Sequence, residues 1–159
     1  MKYSPIFANN HHIWMALALW PFLVVSLLGS DFAPGRTARI LRVVAASSQT
    51  KNRVACTDAE VASELKLLGM EIDPLAKVAW TTNERDLMAL VQDGHLVVCG
   101  KPAFLAKGAS IALTQEGGRP TIYVSIGNVR ASKMSLQGSF FKMAKVQQLT
   151  GRCELILSL

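Results

Sequence analysis

The sequence predicts an α/β fold, a three-layer sandwich on a mixed, mostly parallel sheet that ends in an antiparallel hairpin and a C-terminal helix. The parallel part is predicted because a short apolar strand followed by an amphipathic helix occurs twice, and a third apolar strand comes next. The antiparallel part is predicted by two β-prone segments that adjacent glycines join.

The first strand–helix unit begins at residues 53–56 (RVAC), which are short, apolar and β-prone. Thr57, with Glu60 three residues later, forms a capping-box pattern. An apolar stripe at helical spacing follows and stops at Gly69, a residue type common at helix ends. Before this unit, residues 37–47 place their apolar side chains on one helical face and predict a leading helix, with a strand as the alternative.

The second unit repeats this order along the chain. Residues 76–80 (AKVAW) predict a strand, Thr81 with Glu84 forms a second capping box, and a glycine ends the helix. Residues 95–99 (HLVVC) are continuously apolar apart from the histidine, as expected of a strand covered by helices on both faces. A short helix beginning at Pro102 follows this third strand.

The last third of the chain predicts a pair of antiparallel strands rather than another strand–helix unit. Two β-prone segments, residues 109–115 and 121–126, flank Glu-Gly-Gly-Arg-Pro, whose adjacent glycines predict a hairpin turn. Asn128 predicts the cap of a short helical turn, and the apolar residues of 136–144 predict the C-terminal helix. Residues 152–159 (RCELILSL) predict a terminal strand or an apolar tail through which a homodimer would form.

The composition is that of a folded and moderately basic protein. The chain has 159 residues, of which 50% are hydrophobic and 18% charged, and this balance excludes a disordered chain. The formal net charge is +6, but the basic residues are scattered and not interleaved with aromatic ones. A solvated basic surface is therefore favoured over a nucleic-acid interface, and we expect no nucleic-acid partner.

An uncharged and strongly apolar segment, residues 13–29, lies near the N-terminus. It approaches the roughly 20 residues that a membrane span requires, and a polar break follows it. The sequence thus predicts a signal peptide or uncleaved membrane anchor with its linker in residues 1–35, and a single domain in residues 36–159. We expect export to the bacterial periplasm rather than the alternative, a buried core helix. If uncleaved, the segment brings the domain into contact with the inner membrane.

The domain carries no recognisable catalytic set. His95 opens an apolar strand, where an edge or capping histidine is favoured over a general base. The Gly-Lys pair after that strand lacks the upstream glycine and the following Ser or Thr of a phosphate loop. The three cysteines do not have the spacing of a zinc site. We therefore expect no catalytic residue, no cofactor and no metal.

Two cysteines, Cys56 and Cys99, each end a predicted parallel strand and so lie at the same carboxyl edge of the sheet. If their strands are neighbours, about 5 Å apart, a disulfide can join them. The alternative is a pair of small buried hydrophobic side chains. Because ligands bind at this edge in open α/β sheets, Thr57, Gly100 and Lys101 are the predicted ligand or partner residues. A small solute-binding domain is one function that this edge allows.

A block of packing residues in the second half of the domain carries a family resemblance. Its members are Gly108, Glu116 with Gly117, residues 122–126, Arg130 with Ala131, and residues 140–145. Together with the strand and loop from residue 95 onward, this block resembles YfiR-like bacterial periplasmic proteins. The chain departs from the family pattern at Ser125, Lys133, Gln137 and Gly138. The resemblance implies a non-enzymatic regulator that represses an inner-membrane signalling protein, such as a diguanylate cyclase, by protein–protein contact.

Overall fold

The computed structural model of the chain describes residues 32–147. Within them, the helices are α1 (Pro34–Ser47), α2 (Ala59–Leu67), α3 (Glu84–Gln92), the 3₁₀ helix Pro102–Lys107, α4 (Ile126–Ala131) and α5 (Gly138–Phe141). The strands are β1 (Arg53–Cys56), β2 (Glu71–Ile72), β3 (Val78–Thr81), β4 (Leu96–Cys99), β5 (Ile111–Glu116), β6 (Arg119–Ser125) and β7 (Lys145–Gln147).

The seven strands form one sheet in the order β2-β1-β3-β4-β5-β6-β7. Neighbouring strands from β2 to β5 are parallel, β5 and β6 are antiparallel, and β7 is again parallel to β6. This confirms the predicted mixed, mostly parallel sheet with an antiparallel hairpin. The hairpin turn is also the predicted one, because Gly117 and Gly118 both have positive φ, 56° and 76°, as a type I′ turn requires.

Helices cover both faces of the sheet, which gives the three layers. Alternate residues of a strand point to opposite faces, and β4 illustrates the division. Leu96 and Val98 join the larger core with α1 and α2, whereas Val97 and Cys99 join the smaller core with α3 and the 3₁₀ helix. All four residues of β4 are buried, which explains its uninterrupted apolar sequence.

Both helices of the strand–helix units begin one or two residues later than their predicted capping boxes. The side chain of Asp58, not that of Thr57, accepts hydrogen bonds from two backbone N–H groups at the start of α2. Thr81 belongs to β3, and Asn83 caps α3 by accepting from the Arg85 N–H at 2.9 Å. In both helices an Asp or Asn side chain caps in place of a threonine, in keeping with the stronger N-cap preference of Asp and Asn.

A helix lies within the predicted residues 136–144, but it is much shorter than predicted. The helix α5 has only four residues, and β7 follows it. Phe140 is buried in the larger core, but Met143 is 59% exposed. Pairing with β6 gives the backbone of residues 145–147 its hydrogen bonds, and Gly138 begins the segment as a poor helix former. The strand β2 was not predicted, because a strand of two residues is too short to show an alternation of apolar and polar side chains.

The predictions for residues 37–47, 13–29 and 152–159 have different outcomes. The helix predicted over residues 37–47 is confirmed as α1. Residues 13–29 and 152–159 lie outside the described residues. None of the helices within residues 32–147 combines the length and apolarity needed to cross a membrane.

Asn128 ties the hairpin side of the sheet to the 3₁₀ helix. Its side-chain amide donates hydrogen bonds to the carbonyl oxygens of Leu105 and Ala109, each at 2.7 Å. The predicted capping role belongs to Ser125 instead, whose hydroxyl accepts from the Asn128 backbone N–H. The side chain of Asn128 therefore links α4 to the 3₁₀ helix and to the segment between that helix and β5.

We expect Asn128→Ala to lower the free energy of unfolding by about 1–3 kcal/mol, because it removes two hydrogen bonds and leaves the Leu105 carbonyl with only the 3.3 Å bond from the Gly108 N–H. Urea denaturation followed by circular dichroism measures the change. Gln92→Ala is the control, since Gln92 is exposed at the end of α3 and such surface changes stay within about 0.5 kcal/mol. Equal stabilities of the two variants would show that these hydrogen bonds contribute nothing.

Candidate functional site

The strand order reverses at β1. The chain runs from β1 through α2 to β2 on one side, and then returns to β3 on the other side. The helix α2 packs on the same face as α1, whereas α3 packs on the opposite face. Where consecutive connections leave on opposite faces, a crevice opens at the carboxyl ends of the strands, and open α/β sheets bind ligands there.

A cavity of about 250 Å³ occupies this position. It lies between the end of β1, the start of the segment after β2, and the inner side of α3. Its lining is mostly apolar. The lining residues are Ala55, Cys56, Thr57, Ile72, Pro74, Trp80, Asp86, Ala89 and Leu90.

One wall of the cavity comes from the five-residue connection between β2 and β3, which takes the place of a helix. The Asp73 carboxylate accepts from the Leu75 N–H at 2.9 Å, and the Asp73 carbonyl accepts from the Ala76 N–H at 2.9 Å. Arg53 pairs with the same carboxylate at 3.4 Å. These bonds hold the intervening Pro74 in place against the cavity.

Trp80 lines the cavity from β3, but its ring packs in the larger core with α1 and α2. Its side chain is 1% exposed, and its indole N–H has no hydrogen-bond partner within residues 32–147. Buried donors are nearly always paired, and an unpaired one carries a desolvation penalty. Because the indole nitrogen has almost no accessible surface, this donor is enclosed by the core and is not open to the cavity.

The carboxylate of Asp86 is the charged group of the lining. It lies in the first turn of α3, where the helix dipole favours a negative charge. A carboxylate beside an apolar cavity repels anions, so the site suits a neutral or cationic molecule better than an anionic one.

Cys56 and Cys99 are not bridged; both thiols are free. The condition for a disulfide was that their strands be neighbours, but β3 lies between them, with Trp80 paired to Cys56 and Thr81 paired to Cys99. Two strand spacings amount to roughly 9.6 Å, beyond the reach of a disulfide. The structure therefore shows the alternative, two separate and largely buried thiols.

Neither thiol is activated. Burial raises the pKa of Cys56 to about 11, although its hydrogen bond to the Asp58 carbonyl opposes the rise. Burial raises the pKa of Cys99 to about 12. At neutral pH both side chains are therefore protonated, and a protonated thiol is a poor nucleophile and metal ligand.

The predicted edge residues separate in the structure. Thr57 lines the cavity. Gly100 and Lys101 follow β4, which lies beyond β3 from β1, and they are not part of the lining. The Lys101 ammonium lies 5.7 Å from the centre of the Phe104 ring. His95 is structural, since its Nδ1 bonds the Ala76 carbonyl at 2.8 Å.

Sequence reasoning missed the cavity residues outside β1. Trp80 was placed correctly in a strand but given no role. Pro74, Asp86 and Leu90 carry no local signal of binding, because only the strand order brings them to β1.

No cluster of three or more His, Cys, Asp or Glu side chains that could hold a metal exists in the part of the chain that the structure describes. The chain matches no protein-family model and no curated protein. The resemblance to YfiR-like proteins therefore stays a prediction.

We expect both thiols to react slowly with a disulfide reagent at pH 7.5, and faster as the pH rises toward 11, because only the thiolate reacts. Cys56, half-buried, should react before Cys99, which is buried. The measurement is stopped-flow thiol titration in a Cys153→Ser background, with Cys56→Ser as the matched control. Rapid reaction of Cys56 at pH 7.5 would contradict the raised pKa.

Proposed function

We propose that this chain is a non-enzymatic binding protein of the bacterial periplasm that holds a small apolar molecule at the switch between β1 and β3. The observation that carries this proposal is the cavity itself, placed where open α/β sheets bind ligands and lined mostly by apolar side chains. The raised pKa values of the thiols support binding rather than catalysis, since the cysteines supply no nucleophile at neutral pH.

The cavity sets limits on the ligand. A volume of about 250 Å³ holds a molecule of roughly ten non-hydrogen atoms, since engineered cavities of about 150 Å³ already admit benzene. Such a molecule would be compact and apolar, and it would not be an anion because the Asp86 carboxylate lies in the lining.

We expect α-methylstyrene to bind more tightly than benzoate, by about 10-fold or more. The two molecules are similar in size, but only benzoate is an anion, which loses its hydration in an apolar cavity and is repelled by Asp86. Titration followed by the nuclear magnetic resonance of the Trp80 indole N–H measures both affinities, in a Trp14→Phe/Trp20→Phe background that leaves Trp80 as the sole tryptophan.

A matched pair of variants shows whether binding occurs in the cavity. Ala89→Phe places a ring from α3 into the lining, whereas Ala59→Phe adds the same ring to an exposed position on α2. The first variant should abolish binding and the second should preserve it. No saturable change in the wild type, or equal binding by both variants, would defeat the proposal.

The second candidate function is repression of an inner-membrane signalling protein, such as a diguanylate cyclase, by contact with its periplasmic region. The observation that favours it is Leu75, which is 84% exposed and follows Pro74 of the cavity wall. A leucine this exposed is the kind of side chain that a partner covers. The connection between β2 and β3 would then carry both the ligand contact and the partner contact.

We expect Leu75→Glu to abolish repression, because a charge cannot enter an apolar contact. Leu67→Glu is the control, since Leu67 is equally exposed, at 80%, but belongs to α2. The measurements are crosslinking in membranes and the cellular level of cyclic dinucleotide. Recovery of no membrane signalling protein, with an unchanged cyclic dinucleotide level on deletion of the gene, would overturn this second candidate.

A further inference from the structure

The helix α1 has an exposed face with only positive charge. Arg36, Arg39, Val43 and Ala46 follow one another at spacings of three and four residues, so they lie along one side of the helix, with Arg42 beside them. All five are exposed, and Val43 is 41% exposed. These five residues are called the basic face of α1.

Within residues 32–147, no acidic side chain forms an ion pair with the basic face, although the Glu64 carboxylate of α2 lies beside the start of α1, 3.3 Å from where a Cβ at Gly35 would stand. The helix contains no acidic residue. The opposite side of the helix packs in the larger core, where Leu41 and Val44 are fully buried. The basic face is therefore available to an external anion.

The position of α1 in the chain indicates which anion. The helix begins at Pro34, five residues after Gly29, the last residue of the uncharged segment 13–29. Five residues extend for at most about 18 Å. If the apolar segment enters a bilayer, α1 is held within that distance of the headgroups, where a cationic helix side is attracted by anionic lipid.

We propose that the basic face of α1 docks on anionic phospholipid headgroups and lays this layer of the domain against the membrane. Charge complementarity and the connection to the apolar segment support a lipid surface over nucleic acid. The remaining basic residues are scattered rather than gathered around this face. Val43, between the arginines, adds an apolar contact with the interfacial region. The proposal does not depend on the cavity or on its ligand.

Flotation of the full chain with vesicles tests the proposal. The apolar segment is expected to bind any bilayer, so the informative quantity is the gain in partitioning when phosphatidylglycerol is added to phosphatidylcholine vesicles. Because each basic residue near an anionic surface contributes about fivefold, Arg36→Gln/Arg39→Gln/Arg42→Gln should reduce that gain by on the order of 100-fold. Raising the salt concentration from about 0.1 M to about 1 M should suppress it in the wild type.

The matched control removes three other exposed charges, in Lys77→Gln/Arg85→Gln/Arg119→Gln. It should keep the phosphatidylglycerol gain, and both triple variants should retain the wild-type melting temperature. An unchanged gain in the α1 variant, or an equal loss in the control, would overturn the proposal. Loss of binding to duplex DNA by the α1 variant, with lipid binding unaffected, would assign the face to nucleic acid and overturn it too.

Discussion

The parallel pairing of β1 with β3 is the contact on which the rest of the structure depends. Because β2 lies on the other side of β1, the chain must leave β1 on one face of the sheet and return on the other. The helices α2 and α3 are separated by this reversal, and neither covers the carboxyl end of β1. The cavity is a consequence of the strand order rather than a defect of packing.

Trp80 connects the cavity to the larger core. Its ring packs with α1 and α2, where it is among the largest fully buried side chains. This placement leaves its N–H without an acceptor among the described residues and closed off from the cavity. The cavity is therefore an apolar site with one carboxylate, Asp86, in its lining.

The two outer layers present different surfaces. The layer of α1 exposes arginines, whereas the connection beside α3 exposes Leu75 next to the cavity wall. If the α1 layer rests on lipid, the face that carries α3 is turned away from the bilayer and stays open to a ligand or to a partner. The three proposals are therefore sterically compatible, although each rests on its own observation.

The sequence by itself determined the elements, because hydrophobic period and turn chemistry act over a few residues. The buried strand at residues 95–99, the helix before Ser47 and the turn at Gly117 and Gly118 follow from such local rules. Only the tertiary structure decided which strands are neighbours. That decision separated Cys56 from Cys99 by the width of β3, and it drew Trp80 and Asp86 to the end of β1. Residues 145–147 also form a strand only because the edge of β6 offers them hydrogen bonds, and no local sequence pattern predicts this pairing.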